Sequence, residues 1–232
     1  MQSALQKTLP YFIQTRMVRC AHVLLRIQDL MHLLLATASC ATSDLEGNYV
    51  SQAGPLPAEW STLASLQVLR IASNGGDFRA FSSLPPTWSQ LSQLKQLAIS
   101  NATFSSSGLP ASWSNMTVLQ SLTLRNVSFA AAGQLLPASW GGLSSLQTLE
   151  FEQVSGLTGP LPAAWQLGLP ALQQLHLSSV PGLNASLADY LVLVNQVFRL
   201  AGANGTSELV SLKLNELGLI GSIPAAMFNN MG

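Results

Sequence analysis

Two carboxylates and an imidazole, Glu150, Glu152 and His176, are the side chains of this sequence whose types could perform acid–base chemistry. General acid–base catalysis asks for a group that titrates near neutrality, held beside one that orients it, and His next to a carboxylate meets that need on paper. Nothing completes such a site. No nucleophile accompanies the three at a recognisable spacing, no His or Cys set has metal-ligand spacing, and no glycine-rich loop is built to cradle phosphate. The expectation is a protein that is not an enzyme and that uses no cofactor and no metal. Together with Arg70, Arg125 and Lys213, the same residues read as a polar surface for a partner.

A second kind of chemistry is covalent modification. Asn101, Asn115, Asn126, Asn184 and Asn204 each open an Asn-x-Ser/Thr triplet without Pro in the middle, which is the acceptor pattern for an N-linked glycan on an exported protein. The competing explanation is turn chemistry, because Asn beside Ser or Thr favours local hydrogen-bonded turns. An export signal is legible upstream. Leu30 to Ala38 is an apolar run that follows Lys7, Arg16, Arg19 and Arg26, and it closes on the small-residue triplet Ala36-Thr37-Ala38. His32 interrupts that run and the preceding stretch is long for a leader, so the alternative is an amphipathic segment covering the first repeat. No apolar run reaches the length of about 18 residues that a spanning helix needs. Cys20 and Cys40 make neither a disulfide framework nor a zinc motif.

The elements that must position these residues are announced by the tryptophans. All five stand in the same phrase, Leu-Pro-x-x-Trp: Leu56-Pro57 to Trp60, Leu84-Pro85 to Trp88, Leu109-Pro110 to Trp113, Leu136-Pro137 to Trp140, and Leu161-Pro162 to Trp165. Successive tryptophans are 28, 25, 27 and 25 residues apart, a period that means stacked units in one elongated domain. Charged residues make up only 9% of the chain, with ten basic and ten acidic side chains and no formal net charge, against roughly 25% charged in ordinary domains. Ser, Thr, Gln and Asn must keep the surface wet, and no basic stripe with interleaved aromatics exists to bind nucleic acid.

Within a unit, Leu119 to Leu124 predicts a short strand in which Leu122 and Leu124 point inward and Thr123 outward. Neighbouring parallel strands need a crossover of a dozen or more residues. The rest of the unit supplies it as a loop, then Leu-Pro, then a short helical turn carrying Trp, with Pro presetting the backbone where the turn starts. Gly54, Gly159 and Gly221 each stand two residues before a Leu/Ile-Pro pair, where a tight turn takes a positive φ. A lone unit has no second apolar layer, and ordering it costs roughly 1.5 kcal/mol per residue; stacking supplies the layer. Trp60, Trp88, Trp113, Trp140 and Trp165 are expected as a buried structural column on the outer side.

The phrase Leu212-x-Leu214-x-x-Leu217-x-Leu219-x-Gly221-x-Ile223-Pro224 resembles the plant-type leucine-rich repeat. Only Asn74 fills that family's Asn slot; Ala102, Val127, Val154, Val180 and Leu217 replace it elsewhere, so its Asn ladder is expected to be largely absent. Trp in place of the usual aliphatic residue looks more like green-algal members than land-plant receptor ectodomains. The resemblance implies an α/β solenoid, a curved coil with a parallel β-sheet on the concave face and short helical turns or loops on the convex face. It also implies a binder of proteins or peptides on that inner face. The expected organisation is a leader over residues 1–38, a flank or degenerate first repeat over 39–55, and about six repeats over 56–232, the last incomplete. Leu187, Tyr190, Leu191, Val194 and Phe198 follow helical spacing inside an insertion.

Aligning the units puts Arg70, Ala98, Thr123, Glu150, His176 and Lys213 side by side on the inner face, followed by Ala72, Ser100, Arg125, Glu152, Ser178 and Asn215. Glu150, Glu152 and His176, flanked by Arg125 and Lys213, form the candidate patch for a protein, peptide or glycan ligand. The alternative is a set of cross-strand pairs on a solvated sheet. Gln67, Gln120, Gln147 and Gln173 recur at the first strand position, with Lys95 breaking the series. The leading functional reading is a recognition module that is secreted or exposed at the cell surface. The others are an intracellular scaffold on cytoskeletal or axonemal structures, or a fragment of a longer receptor.

Overall fold

The computed structural model describes residues 42–48, 56–73, 79–106, 108–131, 133–183 and 210–217. The leader, Cys20 and Cys40, Gly54, Asn74, Asn184, the helically spaced residues 187–198, Asn204 and Gly221 lie outside them.

Ten strands are described: β1 (Thr42–Asn48), β2 (Val68–Ser73), β3 (Arg79–Phe81), β4 (Gln96–Phe104), β5 (Ser121–Phe129), β6 (Gln134–Leu135), β7 (Thr148–Ser155), β8 (Leu157–Thr158), β9 (Gln174–Ser178) and β10 (Ser211–Asn215). The main sheet runs β1-β2-β4-β5-β7-β9-β10 with β3 beside the end of β4, and β6 pairs with β8 apart from it. Every pairing is parallel. Because a crossover of a dozen or more residues separates parallel neighbours, each of β1, β2, β4, β5, β7, β9 and β10 marks one rung of a solenoid, and the flank before Leu56 contributes β1 in register with β2.

The crossovers are short 3-10 turns, Ala58–Thr62, Pro86–Gln90, Ala111–Asn115 and Ala138–Gly142, and one helical turn, Trp165–Gly168. Each 3-10 turn opens on a Pro whose φ lies between −64° and −68°, the value its ring imposes. Each closes when the N–H three residues after its Trp reaches back, as Met116 does to the carbonyl of Trp113.

Two aromatic columns run through the stack. Trp60, Trp88, Trp113, Trp140 and Trp165 are buried and stack with centroids 5.7 to 6.2 Å apart and planes within 9°. Phe81, Phe104 and Phe129 stack nearer the sheet at 5.7 and 5.6 Å. Burying an indole removes about 150–250 Å² from water, at most roughly 4–6 kcal/mol each. The indole N–H also finds a partner: Trp88, Trp113, Trp140 and Trp165 donate to the carbonyls of Pro57, Pro85, Pro110 and Pro137, each one rung earlier. Trp60 Nε1 is the buried side-chain donor without a partner among the described residues; a carbonyl one rung earlier would fall outside them. Beside this column Thr87, Ser112 and Ser139 donate their hydroxyls to backbone carbonyls of Ala58, Pro86 and Ala111.

The strands run further than the repeat pattern predicts. β4 and β5 each span nine residues and continue through a residue with positive φ: Asn101 at 55° and Asn126 at 53°. Gln153, Ser179 and Glu216 repeat this conformation on the later rungs. The left-handed kink turns the next residue inward, and Ala102, Val127, Val154 and Val180 are all buried. The family's Asn slot is therefore apolar, and the amide ladder reappears one residue earlier, where Asn126 Nδ2 donates to Asn101 Oδ1 at 2.8 Å. Asn tolerates the left-handed region better than most residues. Gly159 has a φ of 84°, as its place before Leu161-Pro162 predicts.

Candidate functional site

Register assembles the inner-face columns residue by residue. Arg70 pairs with Ala98, Ala98 with Thr123, Thr123 with Glu150, Glu150 with His176, and His176 with Lys213. The column beside it runs Ala72, Ser100, Arg125, Glu152, Ser178 and Asn215. Inward residues alternate with these: Leu97, Ile99, Leu122, Leu124, Leu149, Phe151, Leu175 and Leu177 are buried, because successive side chains on a strand face opposite sides. The polar residues are on this face because the leucines claim the other.

Within the patch, charges meet one another. Arg125 Nη2 donates to both carboxylate oxygens of Glu150, at 2.9 and 3.0 Å, and its Nε lies 3.5 Å from Glu152. Arg125 and Glu152 are about half exposed, at 53% and 49%, while Glu150 is 20% exposed. Pairs this open to water contribute under about 1 kcal/mol each, so the network orients side chains more than it stabilises the sheet. On the N-terminal side, Arg70 Nη2 donates to Gln96 Oε1 at 3.1 Å, and Asp44 stands in register with Arg70. Lys95 Nζ donates to Gln67 Oε1 at 3.1 Å, so the residue that breaks the Gln series still bonds to it. The backbone of that series is also shared: the carbonyl of Gln120 accepts from both Gln147 and Thr148, and that of Gln147 from Gln173 and Gln174.

His176 sits between the acidic and basic ends. Its Nε2 lies 2.7 Å from Ser211 Oγ. Partial burial lowers its pKa below the ordinary 6.5, Lys213 on the next strand lowers it further, and Glu150 on the preceding strand opposes both. Burial and Lys213 thus favour the neutral imidazole over the cation. Lys213 is exposed. Arg70 lies at the far end of its column, so the patch proper comprises Arg125, Glu150, Glu152, His176 and Lys213. Among the described residues no group of three or more His, Cys, Asp and Glu could hold a metal ion.

The glycan-acceptor residues fall in two environments. Asn101 and Asn126 are half-buried in β4 and β5 and bonded to each other. Asn115 is exposed at the end of its 3-10 turn on the convex side. Sequence reading missed the polar column at positive φ, in which Ser179 Oγ also donates to Glu216 Oε2 at 2.6 Å. Its signal was the residue before each apolar substitute for the family Asn. Among the described residues no helix is long and apolar enough to cross a membrane.

No family model and no curated protein matches the sequence. Solved structures do match. The Arabidopsis receptor kinase HAESA ectodomain, in complex with an N-terminally extended IDA peptide hormone, is 23% identical with a TM-score of 0.62 over 88% of this chain and 30% of that one. The plant peptide hormone receptor RGFR1 in complex with RGF2 gives 23% identity and 0.60 over 82% and 30%. A leucine-rich-repeat protein of Leptospira interrogans gives 23% and 0.57 over 79% and 39%. The chain thus spans well under half the length of these structures. The parallel sheet, its turn-built outer side and these likenesses agree on one architecture: the chain folds as a leucine-rich-repeat solenoid.

Proposed function

We propose that this chain is a recognition module without enzymatic activity that faces the outside of the cell and binds a protein or peptide along its concave sheet. The observation that carries the reading is the asymmetry of the stack. The convex side is sealed by the indole column and its carbonyl bonds, whereas Gln96, Arg125, Glu152, Gln174, Lys213 and Asn215 stand exposed in register on the inner face. Two structures that share the fold are plant receptors in complex with peptide hormones.

Arg70, Arg125, Glu150, Glu152, His176 and Lys213 are the proposed contacts. With both charges present and paired, the patch favours a ligand that offers an acidic group to Arg125 or Lys213 and a basic one to Glu152 in exchange for the internal pair. Selecting a random peptide library displayed on phage against the full chain tests this. Selected peptides should lose affinity at least about tenfold on Arg125→Glu or Glu152→Lys. Peptides that bind both variants as well as the parent, or whose binding responds only to convex-face substitutions, count against the proposal.

A further inference from the structure

We infer that Asn115 is a glycan-bearing site of this chain and that Asn101 and Asn126 are not; the inference rests on the outside-facing reading above. All three open the same kind of triplet, so sequence ranks them equally, and the fold separates them.

Asn101 and Asn126 are used by the solenoid itself. Each holds the left-handed kink that carries its strand past the inner face, with φ of 55° and 53°. The nitrogen to which a sugar would be attached on Asn126 already donates to Asn101 Oδ1 across the rungs. Ser128, the hydroxyl residue of the second triplet, accepts a bond from Ser155. Two sugars here would also stand on neighbouring strands, only about 4.8 Å apart, less than the width of one pyranose.

Asn115 has the opposite surroundings. It ends the turn Ala111–Asn115, is exposed, and is followed by buried Met116, whose N–H is fixed on the Trp113 carbonyl, and by exposed Thr117. Asn115 and Thr117 are therefore both open to water, on a short anchored segment. The adjoining rung carries no side chain at the position that matches Asn115. Where Trp140 stacks on Trp113, the matching turn is Ala138–Gly142, which ends in two glycines. A Cβ added to Gly142 would come 3.4 Å from the Ser114 carbonyl oxygen, so glycine there keeps the adjoining rung free of a side chain against the turn that Asn115 ends. A glycan there lies on the convex side, leaves the inner face open, and adds the hydration that 9% charged residues supply sparingly.

The test is expression of the full chain in a eukaryotic secretory host behind an imposed signal sequence, with a control sequon on a C-terminal tag. Peptide mapping after glycosidase treatment in heavy-oxygen water reads occupancy at each Asn. The expected result is a label on Asn115 and none on Asn101 or Asn126, with one mobility step lost in both Asn115→Gln and Thr117→Ala. An unlabelled Asn115 beside an occupied control, or labelled Asn101 or Asn126, overturns the inference. The imposed signal keeps this separate from export: a chain glycosylated only behind that signal, and not behind its own N-terminus, supports the site and counts against the outside-facing reading.

Discussion

The indole nitrogen of Trp140 donates to the carbonyl of Pro110, one rung earlier, at 2.9 Å. The bond joins the two marks that recur through the sequence. Pro opens each turn, and because its carbonyl lies at the turn's entrance it can serve the Trp of the next rung. Leu-Pro-x-x-Trp is therefore a connector between rungs as well as a local turn signal.

Trp113 separates the two contributions of that connector. Trp113→Ala removes a fully buried ring stacked between Trp88 and Trp140 and should cost about 3–5 kcal/mol in urea unfolding. Trp113→Phe keeps most of the ring but removes the indole donor to the carbonyl of Pro85, which still accepts the Trp88 N–H, and should cost less, about 1–2 kcal/mol. An alanine variant within about 1 kcal/mol of the parent would contradict the buried column.

Gly156 and Gly133 both hold positive φ, 86° and 82°. A side chain at Gly156 would run into the carbonyl oxygen of Phe129, whereas one at Gly133 meets nothing within 4 Å. Gly133→Ala should therefore show the conformational cost alone, about 1–2 kcal/mol, and Gly156→Ala that cost plus a backbone clash of about 1–3 kcal/mol more. Equal losses in thermal denaturation would mean that the rungs at Gly156 do not approach closely.

His176 should titrate below the ordinary imidazole value of 6.5, as read by NMR of its ring protons. Lys213→Ala should raise that value and Glu150→Gln should lower it. Since the folded state holds this proton less firmly than the unfolded chain, the unfolded state binds more protons below 6.5. Stability from this residue is present above the unfolded pKa and is lost as pH falls through the folded one. His176→Gln should flatten that part of the pH–stability profile.

Arg125→Ala should leave the unfolding stability nearly unchanged, within about 1 kcal/mol, because Arg125 and Glu152 stand about half exposed and water screens both of its pairs. A loss above about 2 kcal/mol would show that the patch holds the sheet together, leaving less of it for a ligand.

Most of the fold was legible because both of its periods are written in side-chain type. Leucines two apart mark each strand's inner face, and Trp marks each turn, so the columns from Arg70 to Lys213 follow by alignment alone. The kink at Asn101 and Asn126 was hidden because a repeat pattern records which residue is apolar, not which φ the residue before it adopts. The same gap left the three described glycan-acceptor triplets indistinguishable. Charge pairing across the patch was half legible: register brings Arg125 beside Glu152, but its diagonal grip on Glu150 depends on rotamers that spacing does not specify.

The rung-to-rung indole bonds give the stack a direction. Each of Trp88, Trp113, Trp140 and Trp165 gives its N–H to the rung before it, so removing a leading rung strands a buried N–H, while removing a trailing one merely frees a carbonyl, the lesser penalty of the two. Trimming from the two ends is thus unequal: the coil should fray gently toward its tail and abruptly from its head.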